Sequence, residues 1–263
     1  MPEGDTIFRA ARTLNLALAG RTVLRFESVF PQLTRVDADH PLLGRIVERV
    51  ESRGKHLLIR FSGDLVLRTH MRMHGSWHIY RPGEKWQRPR HEMRILIATD
   101  AYEAIAFTVP VAEFLSGDAA ERQRDLQTLG PDPLGDAFDV DAAVRRLAER
   151  SDMEIADALL DQRAIAGIGN IYKSESLFVS GIDPFTPVPA LNTPTLTAIV
   201  ENAAQLLRRS VAGGRPHWWV YGRGGEPCRR CGTLIQRRKQ GPHARSTYWC
   251  PKCQPSAASS PRS

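Results

Sequence analysis

The stretch CRRCGTLIQRRKQGPHARSTYWCPKC, residues 228–253, governs the reading of the whole chain. It contains two CxxC pairs, Cys228 with Cys231 and Cys250 with Cys253, separated by 18 residues. That is the ligand spacing of a four-cysteine zinc site. Each CxxC turn can present two thiolates to one ion, and the intervening residues suffice for a β-hairpin that brings the two turns together. Two disulfides or four free thiols are the alternatives, but no cysteine occurs before residue 228, unlike a disulfide framework spread through a chain. A closed four-sulfur site has no open coordination position, so one structural Zn2+ would hold a shape and take no part in a reaction. The hairpin between the pairs carries Arg237, Arg238, Lys239, His243 and Arg245 and no acidic residue. Such a surface suits a nucleic-acid backbone or groove; a solvated basic face is the plainer reading.

Outward from the hairpin, the 263 residues carry 36 Lys and Arg against 29 Asp and Glu, a formal charge of +7 that favours a polyanionic partner. There is no apolar run of about 18 residues to span a bilayer and no signal-peptide layout, which predicts a cytoplasmic protein with no membrane partner. Near the start, Ile7, Ala11, Leu14 and Leu18 recur at helical spacing behind Asp5, read as the N-cap, with Gly20 as the stop. To about residue 115 the chain then turns to short β-rich runs, RTVLRF, KHLLIRF, DLVLRTHM, SWHIY, EMRILIATD and YEAIAF, separated by Gly, Pro and Asp. Beyond LGPDPLGDAFD come four helical stretches up to about Gly214. The expected class is α+β: an antiparallel β-sandwich with an N-terminal helix over 1–125, a linker over 126–140, helices over 141–224, the zinc hairpin over 225–254 and a disordered tail over 255–263.

The pieces resemble, in order, the Fpg/Nei DNA glycosylases, the formamidopyrimidine glycosylase and endonuclease VIII family of base-excision repair. The resemblance is carried by the N-terminal Met-Pro-Glu-Gly, GKHLL at 54–58, the helix-two-turn-helix signature DQRAIAGIGNIYKSESLFVSGIDP, and VYGRGGEPCRRCG through the second CxxC. Together these span residues 1–253, and the resemblance implies a bifunctional glycosylase and AP lyase acting on damaged double-stranded DNA as a monomer, in bacterial use on the nucleoid.

The resemblance also implies roles. With Met1 removed, Pro2 would be the nucleophile that attacks the sugar C1′ and expels the damaged base. An α-amino group titrates roughly 2.5 units below lysine and is correspondingly richer in its neutral, attacking form. A secondary amine yields an iminium directly, and β and δ eliminations then cut the strand. Glu3 would be the general acid and base beside it. Lys55 matches a family lysine that contacts phosphate and sugar near the lesion. Asn170, in GIGN, matches the asparagine that grips phosphate together with Arg245. Arg72, Met73 and His74, in HMRMHG, align with the loop that fills the gap left by the flipped nucleotide, although Met73 could equally be a core residue of the sandwich. Family members that excise 8-oxoguanine carry a long capping loop after the last helix, where this chain has only RPHWW. That points to the endonuclease VIII branch and oxidised pyrimidines. The rivals are an 8-oxoguanine enzyme of the same fold and a catalytically silent zinc-dependent DNA-binding protein.

Overall fold

The structure is a computed structural model that describes residues 2–214 and 217–256. Met1, two residues of RPHWW and most of the tail expected to be disordered lie outside them. The chain divides into two compact units, residues 1–128 and 129–263, and the break falls inside the stretch read as a linker.

The first unit begins with α1 (Gly4–Leu18), whose buried face is Ile7, Ala11, Leu14 and Leu18. Burying each of the larger of these side chains contributes about 1.5–3 kcal/mol. Its N-cap is Glu3, not Asp5; Asp5 lies one residue inside the first turn, where it suits the positive end of the helix and pairs with Arg9 at 2.9 Å. Ala19 is the C-cap and Gly20 follows at φ +78°, a conformation that costs glycine nothing.

Then come β1 (Arg25–Ser28), α2 (Pro31–Asp39), β2 (Val47–Arg53), β3 (His56–Phe61), β4 (Leu65–His70), β5 (Ser76–Tyr80), β6 (Met93–Ala98), β7 (Glu103–Phe107), β8 (Val111–Ser116) and the short α3 (Gly117–Arg122) and α4 (Arg124–Gln127). They form two antiparallel four-stranded sheets, β1-β6-β7-β5 and β2-β3-β4-β8. Leu57, Ile59, Phe61 and Leu67 of one sheet share a core with Trp77, Ile95, Ile97, Ala104 and Ala106 of the other and with α1, so the expected sandwich is present. Leu96, Ile105, Phe107 and Tyr80 cluster separately with Trp86 and Met93. The strand expected at RTVLRF is displaced: Thr22 makes an isolated bridge to Ile46, and the regular strand runs Arg25–Ser28.

The second unit contains α5 (Val140–Ala148), α6 (Ile155–Ala158), α7 (Asn170–Ser180), α8 (Thr193–Val211), β9 (Gln236–Gln240) and β10 (Arg245–Trp249). Asp139 caps α5 through Ala142 N–H, and Asn192 caps α8 through Thr195 N–H. Residues before α5 are tied to the unit: Gly130 N–H donates to Gln162 O at 2.8 Å, Arg146 to Leu129 O at 3.1 Å and Arg208 to Pro133 O at 2.9 Å. The fully buried Glu175 of α7 accepts hydrogen bonds from the N–H groups of Trp219, Val220 and Tyr221 at 2.8, 2.9 and 2.8 Å. It thereby pins the segment that leads into the first CxxC.

Glu175→Leu would leave three backbone donors without their acceptor, at about 1–3 kcal/mol each if they stay dry. We expect the variant to lose at least about 3 kcal/mol of stability in urea unfolding on this basis; a loss below 1 kcal/mol would show that the turn is held by other contacts.

Candidate functional site

The two units carry separate groups of the residues singled out above. In the first, Pro2 stands directly before the helix α1, and Glu3, fully buried, supplies the N-cap. The Glu3 carbonyl accepts from Ile7 N–H at 3.0 Å. The start of the chain is thus fixed to a helix end, with the peptide N–H groups of α1's first turn directed at it.

Lys55 occupies the tight turn between β2 and β3, with Gly54 before it at φ +58°. Across the β3–β4 pair, His56 sits opposite His70, ring centroids 4.9 Å apart and nearly perpendicular. Burial holds His56 down to about 3, with His70 and Arg68 adding to the effect. Burial also lowers His70 to about 4, helped by the positive charges of Arg72, Lys55 and Arg68. Both rings are neutral at pH 7. The Arg72 backbone N–H donates to His70 Nδ1 at 3.1 Å, which puts the His70 proton on Nε2. Lys55 and Arg72 therefore flank one neutral imidazole that offers an N–H. Beneath it, the buried Arg68 pairs with Glu113 and lies 3.7 Å from Asp125.

The loop after β4 separates its two methionines. Met71 is in the core at 2% exposure, whereas Met73 is 48% exposed, so the core reading of Met73 does not hold. Arg72 has φ +46°, uncommon for a side chain of its size. The loop is tied from below: Thr108 Oγ1 donates to His74 O at 2.7 Å, while Arg88 donates to Ser76 Oγ at 2.9 Å and Thr108 Oγ1 at 3.2 Å and pairs with Glu92. A Cβ on Gly75 would lie 2.6 Å from Met71 O, so the turn closes only with glycine there. Arg72, Met73 and His74 thus ride on a braced loop.

In the second unit, Gly169 precedes α7 and Asn170 opens it. Asn170 Nδ2 donates to Ser246 O of β10 at 2.7 Å, and Lys173 Nζ donates to Asn170 Oδ1 at 2.7 Å. Because Arg245 begins the same strand, the asparagine and the arginine are brought onto adjoining backbone. Arg238 lies over the Phe185 ring at 3.6 Å, and Arg237 lies 6.0 Å from the Tyr248 ring, which fixes the stems of two hairpin cations.

The Sγ atoms of Cys228, Cys231, Cys250 and Cys253 all lie within 4.8 Å of one another, with 3.4 Å between Cys231 and Cys250 and 3.9 Å between Cys228 and Cys253. Sulfurs at a tetrahedral zinc stand about 3.8 Å apart, given bonds of about 2.3 Å, and a disulfide would need about 2 Å. The donor set and its geometry fit one structural zinc ion. Each knuckle is closed by backbone bonds, among them Gly232 N–H to Cys228 O at 2.8 Å and Gln254 N–H to Cys250 O at 2.9 Å.

Sequence reasoning did not single out His70, Arg68, Arg88, Lys173 or Glu175. The facing histidines were legible in principle, since a tight turn at 54–55 and one at 63–64 set the strand register that pairs His56 with His70. Lys173 stands one helical turn from its acceptor Asn170, but its other acceptors, Thr247 Oγ1 and Ser246 O, lie more than 70 residues away.

Residues 1–110 match the family model described as the formamidopyrimidine-DNA glycosylase N-terminal domain, and residues 129–217 that described as its H2TH domain. Residues 225–255 match a zinc finger found in FPG and IleRS. The chain is 41% identical over 272 residues to a probable endonuclease 8 2 of Streptomyces coelicolor, covering 99% of this chain and 96% of that one. It is 42% identical over 265 residues to a DNA-(apurinic or apyrimidinic site) lyase of Mycolicibacterium smegmatis, covering 97% and 99%. Among solved structures it superposes with a TM-score of 0.84 on MutM in complex with carbocyclic 8-oxo-G containing DNA, at 25% identity over 97% of this chain and 100% of that one.

A histidine held below its ordinary value of 6.5 stabilises the fold fully above that value and loses its contribution as pH falls, because only the unfolded chain then takes up the proton. His56 and His70, at about 3 and about 4, should therefore make the DNA-free protein lose urea resistance between pH 7 and pH 5. The slope approaches about 1.4 kcal/mol per pH unit for the better-buried His56 and less for His70. The double variant His56→Gln, His70→Gln should flatten that interval; an unaltered slope would assign it to other groups.

Proposed function

The chain belongs to the formamidopyrimidine-DNA glycosylase and endonuclease 8 family, and from that premise we propose how its residues divide the work of excision and strand cleavage. It is a bifunctional DNA glycosylase and AP lyase of the endonuclease 8 branch. Pro2, exposed as the N-terminal residue after loss of Met1, is the nucleophile. Its lone pair bonds to the sugar C1′ as the bond to the damaged base breaks, and the proton shed by the amine nitrogen passes to the departing base. Glu3 donates a proton to the ring oxygen, and the sugar opens to an iminium on the proline nitrogen. That cation acidifies the adjacent carbon, so a proton is lost there as the 3′ C–O bond breaks; a second elimination cleaves the 5′ side. The observation that carries this reading is the seating of Pro2 immediately before the buried N-cap Glu3 of α1. The positive end of a helix disfavours a protonated amine there and keeps more of it in the attacking form.

The remaining residues position DNA. Lys55, Arg72 and the His70 N–H can meet phosphates near the lesion, and Asn170 with Arg245 can grip those beside the flipped nucleotide. Met73, half exposed on its braced loop, is the apolar wedge, with Arg72 and His74 beside it. The short connection between α8 and the zinc module favours small oxidised pyrimidines over 8-oxoguanine, which family members cover with a longer loop. The protein works on damaged double-stranded DNA as a monomer, on the cytoplasmic nucleoid.

Borohydride reduction on a duplex with an abasic site should trap a DNA adduct on the N-terminal residue. The adduct should be absent in Pro2→Gly and when a tag blocks the amine, while an adduct that persists in the blocked protein would move the nucleophile elsewhere. On duplexes carrying single lesions, excision of 5-hydroxyuracil should exceed that of 8-oxoguanine; the reverse order would favour the 8-oxoguanine reading.

A further inference from the structure

The phosphate contact given to Asn170 needs the donor end of its carboxamide to face the DNA side, and the residue that dictates this orientation is Lys173. It follows Asn170 by three positions in α7 and is fully buried. Its Nζ lies 2.7 Å from Asn170 Oδ1, 2.8 Å from Thr247 Oγ1 and 3.4 Å from Ser246 O. Thr247 Oγ1 in turn donates to Gln240 Oε1 at 2.6 Å, and Gln240 Nε2 donates to Glu154 Oε2 at 2.6 Å. The ammonium is thus the hub of a buried network that joins the first turn of α7 to both strands of the hairpin.

Two physical points separate this arrangement from ordinary packing. Sinking an ammonium out of water costs several kcal/mol, and an apolar residue such as methionine would fill the same volume without that cost. What methionine cannot supply is polarity with a direction. An ammonium has three donors and no acceptor, so only the oxygen end of the Asn170 carboxamide can face it. Turning the carboxamide over would set its NH2 group against the ammonium and lose the bond to Ser246 O as well. The nitrogen end is therefore committed to the β10 side, where one hydrogen goes to Ser246 O at 2.7 Å. Its second hydrogen is the donor that a phosphate, which only accepts, requires.

We propose that Lys173 is a positioning residue for DNA binding: its buried ammonium fixes the orientation of the Asn170 carboxamide and the placing of Asn170 against β10, the strand that Arg245 begins. The inference rests on the phosphate contact of Asn170 proposed above. Because Lys173 acts through Asn170, its loss should matter only while the asparagine is present.

The test is a double-mutant cycle on the full-length zinc-loaded protein, with affinity read on a duplex carrying a tetrahydrofuran abasic analogue. Asn170→Ala and Lys173→Met should each weaken binding by about tenfold, the scale of one charge-assisted hydrogen bond, and the double variant should bind no worse than Asn170→Ala. In Lys173→Met turnover, KM should rise more than kcat falls. Additive losses would reduce Lys173 to a structural support and overturn the proposal, as would a Lys173→Met protein with unimpaired affinity alongside a weakened Asn170→Ala. If Asn170→Ala binds as the parent does, the phosphate reading of Asn170 fails first and the inference falls with it. Should Lys173→Met lose its zinc or its cooperative unfolding, Lys173→Gln takes its place in the cycle. Its amide accepts as readily as it donates and no longer dictates the carboxamide's orientation, so the same outcomes decide.

Discussion

Two short strands with Gln236, Arg237, Arg238 and Lys239 in a row, all exposed, bury too little apolar surface to stay paired unaided. Their mutual charge opposes pairing further. The shape of this hairpin has to be imposed, and three devices impose it. Four thiolates converge for the metal at its base. A small apolar cluster of Phe178, Val220, Ile235, Cys228 and Cys250 joins that base to α7. Along the strands, Thr247 and Gln240 turn into the protein and meet Lys173 and Glu154, and Asn170 donates to Ser246 O. The metal and the cluster fix the position of the hairpin, and the polar contacts fix its register. A hairpin this rich in like charges cannot fold around them, so α7 carries the burden of ordering it.

The first unit solves a related problem on a sheet. Strands β3 and β4 present Arg60, Arg68, His56 and His70 on one face while Leu57, Ile59 and Leu67 fill the sandwich behind them. Acidic partners neutralise the inner members: Glu51 and Glu121 take Arg60, and Glu113 takes Arg68. The hydrogen bonds from Arg53 and Arg60 hold Glu121 down to about 2, against the opposing effect of its partial burial. Burial, and then the cations on several sides of it, keep His70 neutral. A neutral imidazole adds a directed N–H without adding charge repulsion to Lys55 and Arg72, which makes it the more useful donor beside two cations proposed to meet phosphate.

What was legible in the sequence divides along physical lines. The zinc site was legible because ligand spacing is a local constraint, and α1, α5 and α8 because their apolar residues keep one period. β2 was not: Val47 and Val50, both buried, stand three apart, a helical spacing, and only a bulge between Val47 and Arg49 returns Val50 to the same face. α2 buries Leu33 alone and so leaves almost no periodic trace; its signal is Pro31 at the first turn. The cap of α1 reads as Asp5 in the sequence but is Glu3 in the structure, because Asp is the better capping residue by propensity whereas Glu3 sits there without a side-chain capping bond. Of the site residues that went unseen, Lys173 meets Thr247 and Glu175 meets Trp219, Val220 and Tyr221, partners more than 40 residues away. His70 and Arg88 depend on the strand pairing and loop that bring His56, Ser76 and Thr108 to them. No short window of sequence contains both halves of the Lys173–Thr247 or Glu175–Val220 contact.

Chain termini ordinarily fray, because nothing offsets the entropy of ordering them. Here the second residue is held by the third. Glu3 is buried, its carbonyl begins the hydrogen-bond ladder of α1, and Ile7, which donates to it, is itself in the core. The helix is in turn fixed by Leu14 and Leu18 beneath the sandwich. In the role proposed for Pro2, a nucleophile on a backbone nitrogen has no side-chain rotamers to order, so its placement depends on the backbone torsions and the anchoring of the next few residues. The proline ring removes one of those freedoms by fixing the orientation of the nitrogen on its Cα. In the proposed division of roles, burial one residue away supplies precision at the Pro2 nitrogen, and the carboxyl assigned to proton transfer belongs to the residue that anchors the chain.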